Sequence, residues 1–135
     1  MSAPKSRQAM AMPINVFVQL PSCVPSFPGL EHAGAAFKAE DFAEAIKWSN
    51  IIGLGEVMNF PGVAANDPIM VAAINATLGA GKTVGGHYAS PDLGRPFHAY
   101  AAAGPEDDHE GTRAADAIAR VRQGMKAMLR LGSAC

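Results

Sequence analysis

Short apolar runs rich in β-branched residues alternate along this chain with stretches of helical periodicity, and that alternation limits what it can fold into. Ile14–Leu20, bracketed by Pro13 and Pro21, suits a buried strand better than a helix. Four further runs read as strands: Ile51–Met58, Lys82–His87, the very short Pro105–His109, and Met125–Leu131. Between them lie helical stretches. Ala39–Ser49 collects Phe42, Ala45 and Ile46 on one side, with Glu40, Asp41, Glu44 and Lys47 largely elsewhere. Asp67 is an N-cap with Pro68 at the first helical position, opening a helix to about Leu78. Phe97–Ala103 and Thr112–Gly124 complete the set, the last with Ile118, Val121 and its alanines turned inward. Pro21–Lys38, Asn59–Asn66 and Ser90–Pro96 read as irregular connections, the last as a loop or a broken helix start. Strand and helix in regular alternation imply an α/β fold with a parallel sheet and crossover helices.

The chain has 135 residues, 49% of them hydrophobic, enough for one domain with a buried core. Residues 1–13 read as a polar N-terminal extension and 14–135 as the folded domain. A net charge of −1 with 17% charged residues gives no electrostatic footprint for nucleic acid or an anionic membrane, so a small neutral partner is expected. Cys23 and Cys135 form no Cys-x-x-Cys pair, which argues against a disulfide framework and for a reducing cytoplasmic setting. The run Ile14–Leu20 is too short to span a bilayer, and no secretory cleavage pattern follows it.

Three of the apolar runs close on a side chain able to bind a metal: Glu56, His87 and His109. In parallel β/α sheets, ligands gather beyond the carboxyl ends of the strands, where these three residues fall. Glu56 taken alone fits a salt-bridged carboxylate at a strand end as well as it fits a ligand, and a lone histidine is more often structural. Together they make a mixed nitrogen and oxygen shell suited to Zn, Fe or Mn. Asp107, Asp108 and Glu110 flank His109 and are candidates to orient its ring or relay a proton, with Glu110 favoured for chemistry. His32 and His98 are left as structural or substrate-adjacent. Gly79-Ala-Gly-Lys-Thr83 imitates a P-loop but leaves a helix to enter a strand, the reverse of the real motif, and Gly53-Leu-Gly55 lacks the third glycine of a dinucleotide site.

The segments Asn15–Pro25, Gly53-Leu-Gly-Glu-Val-Met-Asn-Phe-Pro-Gly62, Gly86-His87, Asp108-His-Glu110 and Gly124–Ala134 resemble the middle of bacterial adenine deaminases of the amidohydrolase superfamily. The likeness runs from Asn15 onward, and the ten-residue string ending at Gly62 is its specific part. The resemblance implies a partial (β/α)8 TIM-type barrel holding about strands three to seven. It also implies hydrolysis of adenine to hypoxanthine and ammonia at a divalent metal centre of one or two ions, Mn, Fe or Zn. Within that likeness Glu56 matches a metal-bridging carboxylate, His87 and His109 match metal ligands, and Glu110 assists proton transfer. Ser22, Cys23, Asn59 and Tyr88 become substrate-loop candidates.

The family opens its metal site with His-x-His and adds an aspartate after the eighth strand; this chain has no His-x-His and ends at Cys135. Gly85 stands where an aspartate is common, and Tyr88–Gly94 replaces a shorter loop. The expectations are therefore an adenine deaminase-like aminohydrolase with part of its shell, a non-catalytic fragment that associates with itself or a complementary piece, or a relative acting on another cyclic substrate. Open sheet edges would favour a homo-oligomer.

Overall fold

The computed structural model describes residues 11–26 and 29–131. Most of the expected N-terminal extension, residues 1–10, lies outside the described residues, as do Phe27, Pro28 and Cys135. Among the described residues the five strands and four helices expected follow one another in the expected order, with one additional short helix after the second strand. They are β1 (Val18–Pro21), α1 (Ala39–Ala45), β2 (Ile51–Val57), α2 (Phe60–Ala64), α3 (Pro68–Gly79), β3 (Thr83–Gly86), α4 (Arg95–Ala102), β4 (Asp107–Asp108), α5 (Ala114–Arg122) and β5 (Lys126–Ala127).

All strand pairs are parallel: β1 with β2, β2 with β3, and β4 with β5. Glu106 joins the two sheets, donating its N–H to Val84 O at 2.8 Å and accepting from Lys126 N–H at 2.8 Å. The strands follow one another in chain order as an arc of a β/α barrel, and no sheet closes among the described residues. No helix among them is long and apolar enough to cross a membrane.

All five strands are shorter than expected, and β1 and β5 leave apolar residues outside the pairing. Regular pairing of β1 begins only at Val18, whose N–H reaches Asn50 O at 2.9 Å, while Ile14 and Phe17 remain exposed. β5 has only Asp107 and Asp108 to pair with before the chain turns at His109; Met128 adds one further bond to Asp108 O, and Leu129 and Leu131 are exposed. Apolar composition proposes a strand, but a neighbour's free main-chain groups decide its length.

Helix ends follow local chemistry. Asp67 caps α3 as expected, accepting from Ile69 N–H at 2.9 Å and Met70 N–H at 3.0 Å. Asn59–Asn66, expected to be irregular, contains the short helix α2. Asn59 caps it by accepting from Gly62 N–H at 3.0 Å, and Pro61 sits in its first turn, where no N–H is needed. α1 stops at Ala45 instead of reaching Ser49; carbonyls beyond its end accept from the Lys82 ammonium, Trp48 O at 3.0 Å and Ile46 O more closely. Gly81, at φ +68°, makes the left-handed turn from α3 into β3.

Phe42, Ile46, Leu54, Val57, Ile74 and Val84 are buried where the helices cover the sheet. α5 departs most from expectation. Ile118 and Val121, expected inward, are 51% and 63% exposed, whereas Asp116 and Arg120 are 5% and 2% exposed. Asp108 on β4 is fully buried, and Arg120 Nε meets its Oδ1 at 2.7 Å. A buried carboxylate without a cation or strong donors is costly, so the helix presents its charged face to the sheet.

Arg120→Met should therefore lower the unfolding free energy by about 3–5 kcal/mol, because it strands Asp108 without its partner. Urea unfolding of the two chains checks this; equal midpoints would remove the pair from the stability of the fold. A second expectation concerns acid. Asp116 accepts from Thr112 N–H at 3.2 Å and Arg113 N–H at 2.9 Å, closing the first turn of α5. The Arg113 guanidinium hydrogen-bonded to it holds its carboxyl down from 3.8 to about 2. A depressed carboxyl contributes stability that is present above its unfolded value and disappears as pH falls through its folded value. Asp116→Asn should thus flatten the loss of stability between pH 3.8 and about 2, as followed by circular dichroism at graded pH.

Candidate metal centre

Glu56 lies within β2 one residue before its end, His87 immediately follows β3, and His109 immediately follows β4. All three therefore reach the same rim, at the carboxyl ends of three neighbouring parallel strands. Glu56 Oε2 is 2.7 Å from His109 Nε2 and 3.2 Å from His87 Nδ1, and the two ring nitrogens are 3.2 Å apart. Ligands about 2.0–2.2 Å from a common cation stand roughly 3.0–3.5 Å from one another at octahedral or tetrahedral angles. One carboxylate and two imidazoles at these separations suit a borderline divalent ion such as Zn, Fe or Mn. The donor set fits a divalent cation.

Glu110 approaches from the same rim, its Oε1 3.7 Å from His87 Nδ1 and 3.5 Å from His109 Nε2. Arg130 donates from Nη1 to that oxygen and fixes the carboxylate beside the cluster. This arginine lies in a segment that the sequence presents as strand, and its charge gives no hint of the acid it meets.

The backbone carrying His87 is held in an unusual way. Three successive N–H groups at the end of β3 donate to side-chain oxygens: Gly86 to Asp107 Oδ1 at 3.0 Å, His87 to the Tyr100 hydroxyl at 2.7 Å, and Tyr88 to Asp108 Oδ2 at 2.5 Å. Asp108 Oδ1 also accepts from Glu110 N–H at 2.9 Å, so one carboxylate tethers the residue after each histidine. The flanking aspartates, expected to orient the ring of His109 or relay a proton, are thus engaged with main-chain donors. Tyr100 in turn donates to Val57 O at 2.8 Å, and burial raises its hydroxyl well above the ordinary phenol range, keeping it a neutral donor. Close packing explains Gly86: a Cβ there would stand 2.1 Å from the Asp107 carbonyl oxygen.

The remaining candidates lie at different depths. Ser22 donates its hydroxyl to the main-chain oxygen of Glu56, beneath the carboxylate. Cys23 lines an open cavity of about 500 Å³ together with Gln19, Glu56, Gly85, Asp107, His109 and Met128. Asn59 caps α2. Tyr88 is buried, its ring packed against Phe60, Phe97 and Tyr100 and its hydroxyl donating to Asp92 O at 2.7 Å. His32 and His98 are exposed and stand outside the cluster. Tyr100 drew no attention in the sequence, where a tyrosine at helical spacing reads as core. Nothing in the sequence separates Tyr100 from Phe97, the other buried aromatic of α4.

No family model matches the chain. Individual relatives do. An adenine deaminase of Mesorhizobium japonicum is 79% identical over 127 residues, 94% of this chain and 21% of its own length. A protein named adenine deaminase 3 of Rhizobium meliloti is 73% identical over the same extent. The adenine deaminase of Moorella thermoacetica is 51% identical over 123 residues, 91% of this chain and again 21% of its own. The chain thus spans about a fifth of the length of the curated relatives it matches. A run of 127 residues held at 79% identity, with Glu56, His87 and His109 gathered at one strand rim, makes this chain a homologue of a segment of the bacterial adenine deaminases.

Proposed function

We propose that this chain carries the carboxylate and two-histidine half of the metal centre of an adenine deaminase, an enzyme that hydrolyses adenine to hypoxanthine and ammonia. The observation carrying this reading is the convergence of Glu56, His87 and His109 within 3.2 Å of one another at the rim of a parallel sheet. Glu56, His87 and His109 would hold a divalent ion, one or a pair, of Mn, Fe or Zn, which would supply Lewis acidity at this rim. Glu110, fixed by Arg130 beside the cluster, is placed to take the proton given up by the attacking water and pass it to the exocyclic amino nitrogen, which leaves as ammonia. The open cavity that Cys23 lines beside Glu56 and His109 gives the flat, neutral base a place to lie. A reducing cytoplasmic setting belongs to the same reading, since Cys23 is a free thiol.

A second reading has its own support. Val121, Ile118, Met128 and Leu129 are exposed at the α5 and β5 end of the arc. Together with the short open strands they favour a chain that associates with itself or with a complementary β/α piece and does no chemistry alone.

Calorimetric titration with Zn²⁺ or Mn²⁺ should show one saturable site on the chain. Glu56→Gln and His109→Asn should each weaken it by more than the roughly 10- to 100-fold typical of an outer partner. Ammonia release from adenine by the metal-loaded chain, abolished in both variants, supports catalysis. Saturable binding without release favours the fragment reading, faster release from another cyclic amine transfers the assignment to that substrate, and no binding at all ends the metal-centre reading.

A further inference from the structure

The ladder between β2 and β3 is irregular just where the centre is built. Leu54 pairs with Val84 and Val57 with Gly86, so β2 spends three steps against two on β3. Gly55 and Glu56 occupy that extra length, an arrangement that bends a strand and re-aims a side chain. Beyond Val57 and Gly86 the two strands are joined through a third group. The Tyr100 hydroxyl accepts from His87 N–H at 2.7 Å and donates to Val57 O at 2.8 Å. These two main-chain groups belong to His87 itself and to the residue directly after Glu56. The ring bearing the hydroxyl is fully buried and packs against Tyr88, the ring centroids 5.3 Å apart and the planes tilted by 44°, so its oxygen has little freedom to move.

We propose that Tyr100 is a positioning residue for the metal ligands, its hydroxyl acting as a one-atom spacer that sets the separation between Glu56 and His87. The inference rests on the metal-centre reading and adds a residue that touches neither cation nor substrate. Its chemical requirement is specific. The spacer must accept from one side and donate to the other, which a hydroxyl does and a hydrocarbon ring of the same shape does not. Without it the His87 N–H and the Val57 carbonyl must find each other or water, and either outcome changes how far apart the two ligands stand.

Co²⁺ is a suitable probe because its visible bands report ligand geometry apart from any turnover. Titrations of the full chain are compared with Tyr100→Phe, Glu56→Gln and Thr77→Val. The Thr77 change deletes another buried hydroxyl, one that donates to Ala73 O at the far end of α3. Tyr100→Phe should weaken Co²⁺ binding roughly 10- to 100-fold and displace the visible bands. Thr77→Val should lower the melting temperature while leaving affinity and spectrum as in the parent chain. The proposal is overturned if Tyr100→Phe binds with parental affinity and spectrum, if Thr77→Val alters both to the same degree, or if Tyr100→Phe does not fold, since the hydroxyl would then serve the fold at large. The first of these leaves the metal-centre reading standing when Glu56→Gln still loses binding. A parent chain and Glu56→Gln that behave alike sink the metal centre, and this inference with it.

Discussion

Asp108 is the carboxylate around which this arc is organised. It sits with no exposed surface at the end of a two-residue strand and accepts from Tyr88 N–H, Glu110 N–H and the Arg120 guanidinium. Through those three bonds it holds the chain after His87, the chain after His109 and the helix α5. Such a group is favourable only when every oxygen is occupied, because a vacant position on a buried charge costs several kcal/mol of desolvation. The requirement is cooperative. Arg120 Nη2 also donates to Tyr88 O at 3.0 Å, so the helix, the loop after β3 and the strand end form one polar block.

That block ties the rim together although the strands beneath it are short. Strands of two and four residues supply few ladder bonds, and at β3 the side chains of Asp107, Tyr100 and Asp108 complete what the ladder leaves open. The cluster of Glu56, His87 and His109 is then carried by elements tied to one another outside the sheet. The spacing of the three side chains is thereby set by groups outside the cluster. Arg130 extends the same pattern by placing Glu110.

Much of this was legible in the sequence. The alternation of apolar runs with helical stretches gave five strands and the major helices in their order, and the residue closing each of three runs identified the cluster. Asp67 with Pro68 announced the start of α3. The rest depended on tertiary facts. Ile118 and Val121 obey an amphipathic pattern that would face them inward, yet the demand of Asp108 for Arg120 outweighed their burial, and only β4 lying beside α5 reveals that demand. Strand lengths at Ile14–Phe17 and Met128–Leu131 failed for a related reason, because pairing needs a neighbour. Asn59–Asn66 hid a short helix whose only sign was an asparagine two residues before a proline. Tyr100 and Arg130 carry information in their end atoms, and no spacing rule reports where a hydroxyl or guanidinium will point.

The uneven pairing of β2 with β3 bears on how a sequence like this can vary. Side chains change face with every step along a strand, so the count between Leu54 and Val57 decides which way the acid points. Dropping one residue there would tidy the hydrogen bonding and turn the carboxylate away from the imidazoles. Insertions and deletions are therefore tolerable in the exposed connections but forbidden in this four-residue interval, even where they would make a better strand.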